Sequence, residues 1–405
     1  MTRPELGTNN GRRRLNRMKI DPPNSRFRAL DSLRGLAALL VVYTHICQVV
    51  PAAPSPLNPY LALPSLALSE AGPFAVMIFF VLSGFVLSLP NWRGKNKSYA
   101  PFIAQRFSRL YLPYAFAVLV AAILCWALTN PPASSLGWTL PVSPRIVGEH
   151  LLMTGIGPES TMLDRPMWTL IIEMRISLIF PLLFLAVRRF GWPALVVGVI
   201  AAFACCKINA WHGAQGETGS RIGTDTLGTL LLTGRYIPLF LFGIFTAGRL
   251  ETVKRVLSSL PMTLHAAICV SIVLLHTFMV TRELQYHGYG DIIYGIMATY
   301  LVASCVTFAG LSRRLSGRLF LWLGDVSYSL YLIHVPVLYA VINVLQKQFG
   351  YGMAITVAVP LIFVSAQLMY RWVELPSVWL GRKFAERLSR KNTAQMTLAQ
   401  GQILP

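Results

Sequence analysis

The sequence predicts an all-α fold: a polytopic membrane helical bundle of about ten transmembrane helices with both termini cytoplasmic. Three observations lead there. Of the 405 residues 54% are hydrophobic and 13% charged, with a mean hydropathy of +0.55, too apolar for one soluble core of this length. Apolar runs of roughly 17–24 residues, each enough to cross a ~30 Å hydrocarbon layer, recur along the chain. The segments between them alternate between rich and poor in Lys and Arg, as positive-inside topology requires.

The runs fall at 29–50, 72–90, 110–129, 170–187, 192–208, 232–249, 261–281, 289–310, 321–345 and 352–373. With the N-terminus inside, the inner segments collect Arg12, Arg13, Arg14, Arg17, Lys19, Arg26 and Arg28, then Arg93, Lys95, Lys97, Arg106 and Arg109. Later inner segments hold Arg188 and Arg189, Arg249 to Arg255, Arg313 to Arg318, and a tail from Arg382 to Lys391. The outer side receives few basic residues, among them Arg145, Arg165, Arg221, Arg282 and Lys347. A formal charge of +20 therefore reflects topology rather than a nucleic-acid face. The basic start followed by an apolar run resembles a signal peptide, but an Arg and a His inside the run argue for a retained first span.

This divides the chain into a basic cytoplasmic segment (1–28), a transmembrane domain (29–376) and a cytoplasmic tail (377–405), frayed or disordered from about 383. The outer loops 51–71 and 130–169 are long enough to act as functional covers. The six cysteines lie in apolar segments without metal-type spacing and read as small core hydrophobes.

Within the spans, Arg34 and His45 are eleven residues apart, about three turns, so they share one face of the first helix roughly 16 Å apart along its axis. Intramembrane ionisable groups are costly and mark sites. Each also has a plain structural account, Arg34 as a snorkelling residue paired with Asp31 and His45 as a satisfied core imidazole. Trp168 opens the fourth span at the outer interface, and Glu173 follows about 7 Å below. That depth matches His45, so Glu173 is expected either to orient the imidazole or to neutralise a buried cation such as Arg175.

The ninth span carries Asp325, Ser327, Tyr328, Tyr331 and His334 upward from its inner end. His334 reads as a ligand contact or as a partner for a carbonyl freed by Pro336. Ser83 and Gly84 in the second span suit close helix packing or passage of a thin chain. Arg106 and Arg109, just before the third span, share a helical face that suits a phosphate-rich ligand, or serve as ordinary inner-surface charge. Arg371 and Glu374 read as an ion pair. No P-loop, dinucleotide fingerprint, zinc-type cluster or nucleophile elbow appears, so no metal is expected.

Several stretches, in order, resemble the acyltransferase-3 family of integral membrane O-acyltransferases. They are Leu30 to Ala37 with His45, Phe79 to Phe85, Arg106 to Arg109, Trp168 to Glu173, Gly324 to Tyr328 with Tyr331 and His334, and Tyr370 to Pro376. Each is weak alone, and the ordered set is specific. Thr169 stands where Ser is common in the family, and Pro376 follows Leu375.

The resemblance implies a multi-pass enzyme of the inner (plasma) membrane that takes an acyl group, usually acetyl, from cytoplasmic acyl-coenzyme A. It would modify a hydroxyl of a cell-surface or exported carbohydrate such as an exopolysaccharide or lipopolysaccharide. It implies Arg34 and His45 as the family's first-span Arg and His and Arg106 and Arg109 as its coenzyme element; with them Glu173 is expected to be catalytic by orienting His45, and Arg34 and Ser83 to lie beside the coenzyme. Tyr328, His334 and Trp168 are candidate substrate contacts. Relatives often carry a further extracytoplasmic domain that completes the transfer. This chain ends soon after its last span, so it is expected to acylate the acceptor directly or to hand the group to a separate extracytoplasmic transferase. The rival reading is a transporter or flippase for a lipid-linked saccharide, and a weaker one is an inactive subunit of a polysaccharide assembly complex.

Overall fold

A computed structural model describes residues 27–49, 66–95, 98–128, 138, 142–154, 163–213 and 226–401, and every regular element among them is helical. The basic N-terminal segment, most of the 51–71 loop and parts of the 130–169 loop lie outside the described residues. The elements are α1 (Arg28–Val49), α2 (Gly72–Trp92), α3 (Tyr99–Leu128), α4 (Pro144–Leu151), α5 (Met167–Phe190), α6 (Trp192–Gly213) and α7 (Thr226–Gly248). There follow α8 (Leu250–Ser259), α9 (Met262–Thr281), α10 (Gly288–Thr307), α11 (Ala309–Leu315), α12 (Arg318–Met369), a π turn (Tyr370–Glu374) and α13 (Leu375–Gly401).

Among the described residues nine helices are long and apolar enough to cross a membrane. The last of these contains a break. Gly350 adopts φ 76°, ψ 170°, a left-handed φ that glycine tolerates at no steric cost. The break lies between the expected runs 321–345 and 352–373. The surface is what a bilayer demands: Leu182, Val197, Trp211 and Leu274 are each more than 60% exposed, and α9 buries only His265, Met279 and Val280. In water such an apolar surface would aggregate. The chain is a multi-pass membrane protein.

The bundle centre is made by α1, α2, α7 and α12, and small residues set how closely they approach. Where α2 crosses α7, a Cβ on Gly84 would collide with the Phe240 carbonyl, and one on Gly243 would collide with the Val81 carbonyl. Where α1 meets α12, a Cβ on Gly35 would lie 2.6 Å from the Gly324 nitrogen, and one on Gly324 2.5 Å from the Asp31 carbonyl oxygen. Both crossings bring backbone against backbone, which no larger residue permits.

Two expectations are corrected. The third helix begins at Tyr99, eleven residues before the apolar run, because Pro101 sits in its first turn where no backbone N–H is required. Arg106 and Arg109 are therefore inside α3, not in front of it. The tail is not loose from 383: α13 lies along α3, with Ala385 buried and Gly381 seated on Ser108. None of the six cysteines forms a disulfide; Cys125 and Cys305 are buried and Cys269 is exposed.

Gly84→Val should force α2 and α7 apart at a cost of about 1–3 kcal/mol or more. The check is melting of the detergent-solubilised protein. A clear drop is expected for Gly84→Val and none for Gly310→Val, where a Cβ meets nothing within 4 Å.

Candidate functional site

The α1 and α12 helices run parallel in register from the Gly35–Gly324 contact. One turn along α12 from that contact, the Arg34 Nε donates to Ser327 Oγ at 2.8 Å while its Nη2 donates to the Gly324 carbonyl at 2.9 Å. Asp31 lies 3.4 Å from the same guanidinium. Eleven residues up α1 and ten up α12, a climb of roughly 15 Å on each, the His45 Nδ1 faces the His334 Nε2 at 2.9 Å. The two imidazoles lie tilted at 33°, with centroids 5.1 Å apart. His334 is fully buried, its Nδ1 3.0 Å from the Leu330 carbonyl, whereas His45 is half-buried. A proline at 336 removes the N–H that would reach the carbonyl of 332, so the carbonyl His334 meets is not the one that proline frees.

Glu173 stands elsewhere than expected. Its Oε1 accepts from Arg106 Nη2 and from Ser83 Oγ, both at 2.8 Å, and Arg106 also donates to Ser177 Oγ. It makes no hydrogen bond to His45. The reason lies in where α5 starts. Thr169 Oγ1 and the Pro166 carbonyl meet the Tyr331 hydroxyl at 2.8 and 3.3 Å, so α5 begins at the level of Tyr331, below His334. Six residues further down, about 9 Å, Glu173 reaches the level of Arg34 and the α3 arginines. Arg175 is occupied by the carbonyls of Thr229 and Met153, so it is not the partner of Glu173 either.

Arg106 and Arg109 therefore part ways. Arg106 is buried and held in an ion pair with Glu173, their side chains only 10% and 15% exposed. Arg109 is exposed and, among the described residues, makes no hydrogen bond or ion pair. Its surroundings are the like charges of Arg34 and Arg106 with the carboxylates of Glu173 and Glu374 further round. Glu374 is itself committed: the Ser329 hydroxyl donates to its Oε2 at 2.6 Å. The expected Arg371–Glu374 ion pair does not form, because the π turn at Tyr370–Glu374 leaves Arg371 exposed while Glu374 turns inward. The Tyr328 hydroxyl donates to the Leu110 carbonyl at 2.7 Å, half-buried beside this cluster. Trp168 is half-buried, its ring against Tyr236 at 5.5 Å.

Before α5, the chain packs against the bundle. Trp138 Nε1 donates to the Leu163 carbonyl, and its ring meets Tyr339 edge-on. Asp164 is enclosed beneath them with neither carboxylate oxygen hydrogen-bonded among the described residues, and burial pushes its carboxyl well above the usual carboxylate range. Beside it Arg165 is exposed and donates to Gln48 Oε1 at 3.0 Å, one turn beyond His45. Sequence reading passed over His334 as the partner of His45, although the Tyr-Leu-Ile-His climb from Gly324 spans the same height as Arg34 to His45. That match of ten residues to eleven was the available signal.

Comparison with known proteins identifies the family of the chain. Residues 27–371 match the acyltransferase domain of the acyltransferase-3 family. The acyltransferase MdmB of Streptomyces mycarofaciens is 32% identical over 212 residues, covering 49% of this chain and 51% of its own length. The putative peptidoglycan O-acetyltransferase YrhL of Bacillus subtilis is 26% identical over 391 residues, covering 89% of this chain and 56% of its own length. The peptidoglycan O-acetyltransferase OatA of Listeria monocytogenes is 24% identical over 369 residues, covering 86% and 55%. The chain thus spans about half the length of these relatives, and no solved structure matches it. The ordered motifs, the helical membrane bundle and the match over residues 27–371 lead to one conclusion: the chain belongs to the acyltransferase-3 family.

Proposed function

We propose that this protein is an O-acyltransferase of the inner (plasma) membrane that moves an acetyl group from cytoplasmic acyl-coenzyme A to a hydroxyl of an envelope or exported carbohydrate. The observation that carries the reading is the single line from Arg109 through Arg34 to His45. An exposed guanidinium without a direct ion-pair partner among the described residues stands at its foot and a half-buried imidazole at its head. The names of two relatives, the putative peptidoglycan O-acetyltransferase of Bacillus subtilis and the peptidoglycan O-acetyltransferase of Listeria monocytogenes, support acetyl as the group and a carbohydrate as the acceptor.

In this mechanism the coenzyme phosphates take Arg109, whose five donors suit a forked anion, and the pantetheine arm runs up beside Arg34. Arg34 is pinned by Ser327 and the Gly324 carbonyl, so it offers a fixed charge rather than a mobile one. At the top, His45 takes the proton of the acceptor hydroxyl as its oxygen forms a bond to the thioester carbonyl carbon. The C–S bond then breaks, and the departing thiolate receives that proton from the imidazolium. General base action of this kind supplies about 10²–10⁴-fold. Glu173, Arg106 and Ser83 hold the wall of the passage: an ion pair buried between α3 and α5 keeps Arg106 away from ligand while leaving Arg109 free.

Two measurements test this. His45→Ala, expressed and folded, should lose about 10²-fold or more of acetyl transfer from labelled acetyl-coenzyme A into membrane glycan; full activity would refute the role. Arg109 and Arg106 should separate in their effects. Arg109→Ala should raise the KM for acetyl-coenzyme A by about 10–100-fold, the loss of one charge-assisted contact, with little change in melting. Arg106→Ala leaves the Glu173 carboxylate buried without its partner and should destabilise by about 3–5 kcal/mol, read as a lower melting temperature.

A further inference from the structure

We infer that His334 is a positioning residue that fixes the tautomer of His45 and so decides which of its nitrogens performs the reaction. The inference rests on the proposed reading of His45 as the reacting group and adds a specific proton arrangement to it. It follows from an accounting of donors. A backbone carbonyl only accepts, so the His334 Nδ1 at 3.0 Å from the Leu330 oxygen carries a hydrogen and donates it. In the neutral ring the Nε2 of His334 is then a bare acceptor. What faces it at 2.9 Å is the His45 Nδ1, which must in turn be the N–H donor.

The carbonyl of Val41, four residues before His45, also faces the ring and again calls for an N–H. On a helix Nδ1, the nitrogen nearer the backbone, is the one that reaches such a carbonyl. Both neighbours therefore ask for the same tautomer, with hydrogen on Nδ1. The Nε2 of His45 keeps its lone pair and is the atom that takes the hydroxyl proton.

His334 is suited to this task and unsuited to touching substrate. Its ring is fully buried, closed off by Leu330, Tyr331 and His45. Its orientation is fixed by a backbone atom of its own helix rather than by a mobile side chain. With the opposite tautomer, Nδ1 of His45 would point a lone pair at the lone pair of His334, and Nε2 would hold a hydrogen where the mechanism needs none. When Nε2 of His45 gains the proton, the Nδ1–H to His334 strengthens as a charge-assisted hydrogen bond, so the pair favours the transition state over the ground state.

The test uses three substitutions of one residue in the full-length membrane protein, assayed with labelled acetyl-coenzyme A alongside His45→Ala. His334→Leu keeps the volume and loses the acceptor. His334→Asn places its amide where Nδ1 stood and reaches only the Leu330 carbonyl. His334→Gln carries an amide oxygen out to where Nε2 stood. The expected result is that Leu and Asn each lower kcat by about 10²-fold, of the order of tautomer loss in a general-base site. The KM for acetyl-coenzyme A should be unchanged, and Gln should recover most of the rate. The inference is overturned if Gln does no better than Asn on folded protein, or if His334→Leu retains full kcat while His45→Ala is inactive. If His45→Ala is itself active, the reading of His45 as the reacting group fails first. Should the Leu protein not fold, the Gln and Asn pair alone decides.

Discussion

The backbone contact of α1 with α12 at Gly35 and Gly324 is the constraint on which the site depends. Two parallel helices brought this close have one permitted register, because a shift of a single residue would put a side chain into a carbonyl. That register places the Arg34 guanidinium on Ser327 and the Gly324 oxygen, and ten or eleven residues higher it places His45 against His334. The polar contacts do not set the register, since each offers a few kcal/mol at most. The steric contact sets it, and the polar groups are arranged at the heights it dictates. Both ends of the proposed route are thus measured from the same pair of glycines.

The arginines show how a low-dielectric interior sorts like charges. Arg34, Arg106 and Arg109 converge from two helices, and three uncompensated guanidiniums there would be prohibitive. Arg106 is neutralised by Glu173 and Arg34 is partly offset by Asp31, while Glu374 is drawn to Ser329. Arg109 is left exposed with no direct counter-ion, the one position in the cluster where a bound anion would lower the energy. The forked pair that spacing suggested therefore resolves into one structural and one available guanidinium. A coenzyme phosphate is an anion of the right kind for that place on the proposed chemistry.

How much was legible in the sequence follows from what each reading depended on. The helical bundle and the shared face of Arg34 and His45 rested on local periodicity, and helix geometry preserves these; the grouping of Ser83 with the arginines rested on the family resemblance. The partner of Glu173 rested on depth, inferred from an assumed membrane boundary at Trp168. The chain before α5 runs into the bundle as far as Tyr331, so that boundary was displaced by about two turns. Arg371 and Glu374 are three apart and would face each other on a regular helix, but a π turn rotates them away from one another. Such a local change of winding leaves no trace in hydrophobic period. The His45–His334 contact depends on a long-range register, which no single span encodes.

On the proposed chemistry, the packing of the chain before α5 also constrains how an acceptor would meet His45. Trp138, Leu163 and Asp164 close one side: a ring edge on Tyr339, an indole N–H on a carbonyl, and an enclosed carboxyl that burial holds well above the usual carboxylate range. Asp164 is therefore packing rather than recognition, despite being an acid a few residues from the site. Its neighbour Arg165 is exposed and held by neutral Gln48, one turn past His45. Arg165 makes its hydrogen bond to Gln48 and not to the carboxyl beside it. On the proposed chemistry a hydroxyl arriving from the outer end of α1 would meet a guanidinium and an amide before the imidazole. These groups grip sugar hydroxyls and acidic substituents by hydrogen bonding, whereas the proposed pantetheine route would pass the guanidinium of Arg34. Donor and acceptor are thus separated along one helix pair by chemistry as well as by height.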